Sequence, residues 1–183
     1  KYPLMKVEVK SFTIHSGVVG KTVDNVILRQ IPKRIIVGFV DNKAFNGARH
    51  LNPFNFQDYG INFFSLNVDG TQILSKPLQP KFFGNEMFYA KAYHTLFSGT
   101  GIHFLNETNS ISGENNPAGY ILFAFNLTSY LSANYTDQWN LVKHDSVRME
   151  VRFERALTTT INCLLYAEFE SVLEINSRQV MVD

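Results

Sequence analysis

Hydrophobic and polar residues alternate with a period of two along most of this chain. The clearest run sets Val147, Met149, Val151 and Phe153 on one side against Arg148, Glu150, Arg152 and Glu154 on the other. Successive side chains of an extended strand point to opposite faces, so this segment predicts a strand with one buried and one wetted face. Near the start, Met5, Val7 and Val9 alternate with Lys6, Glu8 and Lys10, and the apolar phase then passes to Phe12 and Ile14. A change of phase by one residue predicts a bulge, or a strand that passes from one sheet to another.

Residues 34–40, 120–125 and 161–167 are apolar at nearly every position. Burial on both faces predicts central strands, or a sheet whose second face meets something else. Cys163 shares its phase with Ile161 and Leu165 and is read as core filling rather than as a nucleophile. Asp69-Gly70 separates the apolar run 61–68 from Thr71-Gln72-Ile73-Leu74, a hairpin signal because a type I′ turn needs positive φ at both central residues. Strands around 23–30 and 171–181 bring the expected number to eight or nine. One helix is expected where Tyr89, Ala92, Tyr93, Leu96 and Phe97 make a single apolar stripe, with Asn85 as its cap and Gly99 as its stop. A shorter helical turn is expected at 128–133 and an exposed polar loop at 106–119. No βαβ rhythm, internal repeat or linker breaks this pattern. The expected fold is all-β: an antiparallel eight- or nine-stranded jelly-roll β-sandwich, with one or two short helices in the connecting loops and residues 1–183 as one domain.

Composition narrows the function. Charged residues make up 18% of the chain, below the roughly 25% of average globular proteins, and 17 basic against 16 acidic residues leave a net charge of +1. Direct nucleic-acid binding is therefore not expected, since it calls for a larger or more segregated basic excess. No apolar run reaches the length of a membrane span, and Lys1-Tyr2-Pro3-Leu4-Met5-Lys6 does not read as a secretory leader, so a chain that is not secreted is expected. The single cysteine excludes an intramolecular disulfide and a cysteine-rich zinc site, which leaves packing by 16 Phe and 8 Tyr to supply stability.

Candidate chemistry is sparse. The histidines at 15, 50, 94, 103 and 144 form no His-x-His pair, so no metal site is assigned. Ser98-Gly99-Thr100-Gly101 lacks the lysine and preceding strand of a phosphate loop, and adjacent His144-Asp145-Ser146 would point to opposite strand faces. Glu168 and Glu170 share a strand face at a spacing open to a paired-carboxylate glycosidase, but two acids on a wet face are the simpler reading. Three sequons begin at Asn106, Asn126 and Asn134 and matter only in a secreted chain. No catalytic, cofactor or metal residue is assigned. What stands out is surplus apolar surface, notably Asn52-Pro53-Phe54-Asn55-Phe56, which either meets a neighbouring molecule or tucks its rings onto the sandwich edge. As an alternative, a lectin-like carbohydrate-binding sandwich would draw calcium ligands from Asn106, Glu107, Asn109, Glu114 and Asn115.

The segments 31–47, Asn52 to Phe56, Val68-Asp69-Gly70, Lys76 to Pro80, Leu96 to Gly101, Gly119 to Phe125 with Leu127-Thr128, and Tyr166 to Phe169 occur in an order and spacing that carry a resemblance. Together they are similar to the major capsid proteins of Polinton/Maverick elements and the related adintoviruses. The resemblance runs from about residue 3 to residue 178. It implies a structural, non-enzymatic role: one half, by its motifs the C-terminal half, of a double jelly-roll protein. Such chains form trimers that tile an icosahedral capsid, so the implied partners are further copies and the missing jelly-roll half. The implied location is the virion, assembled inside the host cell, and the implied interface is Asn52, Pro53, Phe54, Asn55 and Phe56.

Overall fold

The computed structural model describes residues 2–73, 76–82, 90–100, 111, 119–128, 144–175 and 180–182. Within them lie nine strands: β1 (Tyr2–Ile14), β2 (Gly20–Gln30), β3 (Arg34–Asp41), β4 (Ile61–Val68), β5 (Thr71–Gln72), β6 (Leu122–Asn126), β7 (His144–Phe153), β8 (Ile161–Ile175) and β9 (Val180–Val182). A four-residue helix α1 (Asn42–Phe45) follows β3, and α2 (Ala90–Thr100) precedes β6.

The strands form two sheets in the orders β1-β8-β3-β6, with β9 also on β8, and β2-β7-β4-β5. Pairing is nested: β1 runs antiparallel to β8, β2 to β7, β3 to β6 and β4 to β5. The chain is thus one long antiparallel hairpin, turned at Asp69-Gly70, whose limbs roll up so that β8 also meets β3 and β7 also meets β4. That is the jelly roll. At the turn both Asp69 and Gly70 have positive φ, 49° and 70°, as the hairpin signal requires.

Each sheet contributes its in-phase residues to one core. Val147, Met149, Val151 and Phe153 of β7 are buried, as are Ile161, Cys163, Leu165, Ala167 and Phe169 of β8. Phe39, Phe123 and Phe125 of the first sheet meet Phe64 of the second, with Phe64 and Phe123 stacked at 5.0 Å between centroids. Burial pushes the Cys163 thiol well above its ordinary pKa, and its sulfur lies 3.8 Å from that of Met149.

Two expectations change and one is settled. β1 has no bulge: its pairing with β8 runs unbroken from Tyr2 opposite Leu173 to Ile14 opposite Ile161. Because Ile14 and Phe12 face the core, Met5, Val7 and Val9 of the same straight strand must face outward, and they are exposed. The irregularity lies instead in β2, between Val23 and Ile27. Second, of the two readings left open for 120–125, β6 takes the latter: it is an edge strand whose outer face is covered by α2. Third, Gly99 does not end α2 but lies within its last turn, buried against β6. A β-carbon there would stand 2.6 Å from the backbone carbonyl of Ala124, so glycine serves close approach of helix to strand. The expected cap Asn85, Tyr89, the helical turn at 129–133 and nearly all of the loop 106–119 lie outside the described residues.

Candidate assembly surface

Residues 52–56 occupy the connection between α1 and β4. Asn52 and Pro53 are turn residues, Asn at the first position and Pro at the second, and the Asn55 amide closes the turn on the Asn52 carbonyl at 3.2 Å. The Phe54 amide also donates to Asn52 Oδ1 at 2.9 Å. This turn projects Phe54 outward, where it is 73% exposed. Phe56 goes the other way. Its amide donates to the Gly119 carbonyl at 2.8 Å and its carbonyl accepts from Ile121 at 3.1 Å, so the backbone lies beside the entry to β6. Its half-buried ring lies over Gly38 and beside Leu122 on the outer face of the first sheet. Of the two alternatives that the sequence left open, Phe56 takes the tucked one, and Phe54 stays exposed.

Gly38 makes this seating possible, since a β-carbon there would stand 2.7 Å from Phe56 Cδ1 and 2.8 Å from Leu122 Cδ2. Gly38→Ala is expected to cost about 1–3 kcal/mol by overpacking and to lift Phe56 from the sheet. Faster proteolytic cleavage at 52–56, together with a lowered melting temperature, checks this.

The other end of the same outer face is held by charge. Arg34, at the start of β3, donates from Nε to the Gly99 carbonyl at 2.8 Å and from Nη2 to the Thr100 carbonyl at 3.1 Å. Its Nη1 lies 3.2 Å from Glu168 Oε2, and Tyr166 donates its hydroxyl to Glu168 Oε1 at 3.1 Å. A guanidinium on the last carbonyls of a helix satisfies acceptors that have no partner within it. Burial, then the charge of Glu168, raises the Tyr166 pKa. Glu170 lies 4.0 Å from Lys33, so the two carboxylates considered as a catalytic pair each face a cation. Sequence reasoning missed Arg34, although an arginine at the edge of an apolar strand facing a glutamate was a visible signal.

Between α2 and the Phe56 loop on one side and the sheet edge on the other, no other described element packs on the outer face. Met5, Val7 and Val9 of β1 are 55%, 46% and 65% exposed. Beside them on β8 stand Leu164 and Tyr166, both partly exposed. Among the described residues, no group of three or more His, Cys, Asp or Glu converges to hold a metal, and no helix is long and apolar enough to cross a membrane. Asn126 is buried, with its Oδ1 accepting from the Thr128 amide and hydroxyl at 3.1 and 2.7 Å. Asn106, Asn134, His103 and the proposed calcium ligands lie outside the described residues.

No protein-family model matches the chain. An uncharacterized protein of Caenorhabditis elegans is 28% identical over 188 residues, which cover 100% of this chain and 44% of that protein. The chain thus spans less than half the length of this curated relative. Among solved structures, a chain of the Sputnik virophage superposes with a TM-score of 0.55 at 16% identity, covering 100% of this chain and 38% of its own. PBCV-1 VP54, fitted into a reconstruction of the same virophage, gives 0.52 at 10% identity over 100% of this chain and 52% of its own. The Faustovirus major capsid protein gives 0.51 at 8% identity over 92% of this chain and 33% of its own. At these identities the likeness is one of fold. This chain is a jelly-roll β-sandwich of the architecture found in viral major capsid proteins.

Proposed function

We propose that this chain is a structural domain of a viral or virus-derived major capsid protein, one roll of a double jelly roll similar to those of Polinton/Maverick elements. The observation that carries the reading is a proportion. This jelly roll aligns over 92% to 100% of its length with chains about two to three times as long, and the curated relative is also more than twice as long. A second roll in the same polypeptide accounts for that difference. The surface is consistent with the role, because its distinctive features are apolar patches of the kind that meet other subunits. The partners are then further copies of the chain and the companion roll, the assembly a trimer within a capsid lattice, and the place the virion. The carbohydrate-binding alternative gains no support from the described residues or from these likenesses.

Sedimentation and negative-stain microscopy of the chain, expressed within its complete open reading frame, test this reading. Trimers or larger species are expected, and Phe54→Ser is expected to reduce them while leaving the melting temperature unchanged, because the ring it removes is exposed. A strict monomer at high concentration overturns the reading.

A further inference from the structure

Among the described residues the two strand orders end in four edge strands, with the three-residue β9 beside β8 off that path, and three of the four are short, broken or met by other parts of the chain. β2 is broken by its bulge, with positive φ at Asn25 and Arg29. β5 is two residues long, and the rest of its side of β4 is met by an isolated bridge from Leu78 to Phe64. β6 lies under α2. These are the usual devices by which proteins keep sheet edges from pairing. β1 keeps only side-chain devices, Pro3 and the charges of Lys6, Glu8 and Lys10. It is 13 residues long, has no positive-φ residue, keeps one register against β8 throughout, and among the described residues pairs with nothing on its other side. A long edge in one register, apolar on its outward phase at Met5, Val7 and Val9, offers a row of backbone donors and acceptors for a further strand.

The sequence of β1 is also complementary to itself. Laid antiparallel with Val7 opposite Val7 of another copy, it places Met5 opposite Val9, and Lys6 opposite Glu8, on both sides of the twofold axis. Lys6 and Glu8 are both substantially exposed and lie 2.9 Å apart within one chain, so both can turn to such a neighbour. Sliding by one residue on each strand, so that Glu8 meets Glu8, also sets Lys6 against Lys10, and like charges directly opposite oppose pairing. Centring on Val9 restores one charge match, Glu8 with Lys10, but sets Val7 against Ser11 and Met5 against Thr13. The Val7-centred register alone among these matches both charge and apolar surface.

We propose that β1 is a self-pairing edge: two copies of this chain join β1 to β1 antiparallel about Val7, fusing their first sheets into one continuous sheet in the order β6-β3-β8-β1-β1-β8-β3-β6. The contact is isologous and closes at two copies. It presents Met5, Val7 and Val9 of both chains as one apolar stripe.

Cysteine cross-linking reads the register, and the native Cys163 is buried and does not interfere. Directly opposed residues have Cα atoms about 4.5–5.5 Å apart, within disulfide reach. Val7→Cys is therefore expected to shift from one-chain to two-chain mass on mild oxidation. Val9→Cys is expected to stay at one-chain mass, since its counterpart would lie about four residues, or 13 Å, along the strand. Both positions are exposed, so neither variant disturbs the core. Adding Glu8→Lys to Val7→Cys is expected to abolish the cross-link, and adding Lys6→Glu as well to restore it. Val7→Cys remaining at one-chain mass, as it would if β1 paired with another strand of its own polypeptide, overturns the contact. So does equal cross-linking of Val9→Cys. Trimers without the Val7→Cys cross-link overturn this contact and leave the capsid reading standing.

Discussion

Phe123→Ala is expected to lower the free energy of unfolding by about 3–5 kcal/mol, the range for deleting a large buried aromatic ring. The ring is fully buried and lies between the sheets. It stacks on Phe64 of the second sheet at 5.0 Å and 7°, and meets Phe39 of its own sheet edge-on at 6.4 Å. Phe64 also stacks on Phe125 at 5.6 Å, so removing Phe123 opens a void at the centre of a cluster whose other members cannot all close in. The void is expected to stay dry and apolar, adding a cavity cost to the lost transfer free energy. Small domains are typically stable by only about 5–15 kcal/mol, so this one change removes a large share of the total. Denaturant titration of both forms measures it. Phe123→Leu, which leaves a smaller void, is expected to lose clearly less. Equal midpoints for alanine and wild type would show that the two sheets do not depend on this stack.

The parts of this fold that were legible in the sequence are those fixed by local rules. β7 alternates strictly because one of its faces is core and the other meets water, and the structure buries its four apolar residues. Asp69-Gly70 announced its hairpin because few residue pairs accept two positive φ angles in succession. What misled was apolar content without a stated destination. Met5, Val7 and Val9, out of phase with Phe12 and Ile14, read as a bulge or a change of sheet, yet the direction of a strand's faces is set by its pairing partner, and β8 presents Ile161, Cys163 and Leu165 inward opposite Ile14, Phe12 and Lys10. β6 is apolar on both faces, which left open a central strand or a covered second face; α2 supplies the covering, a long-range fact that no window of five residues contains. In the candidate interface, the turn chemistry of Asn52 and Pro53 was local and readable. The opposite fates of Phe54 and Phe56 were not, because Phe56 is drawn in by the bare backbone of Gly38, eighteen residues earlier in the chain.

That dependence on distant partners is strongest at Arg34, where the second large effect is expected. Arg34→Ala should cost about 3–5 kcal/mol, because removing one member of a buried ion pair leaves the other charge uncompensated. The side chains of Arg34 and Glu168 are only 13% and 8% exposed, so water does little to compensate the carboxylate once the guanidinium is gone. The same change leaves the Gly99 and Thr100 carbonyls without the cation that bonds both. Glu168→Gln is expected to cost less, since it removes the charge while keeping an oxygen to accept from Tyr166 and from Arg34. Arg34→Lys should not restore stability, because a single ammonium cannot reach two carbonyls and a carboxylate in the planar fork that guanidinium offers. The loss should be local before it is global. With its C-terminal anchor gone, α2 is expected to be cut by protease at concentrations that leave the wild-type helix intact, exposing Ala124 beneath it. A melting temperature for Arg34→Ala equal to that of Glu168→Gln would mean that the helix is held by its packing on β6 and that the guanidinium contributes little. If the clamp does hold α2 in place, the helix shields β6 as the bulge disrupts β2, leaving β1 as the edge at which one sheet can grow into another.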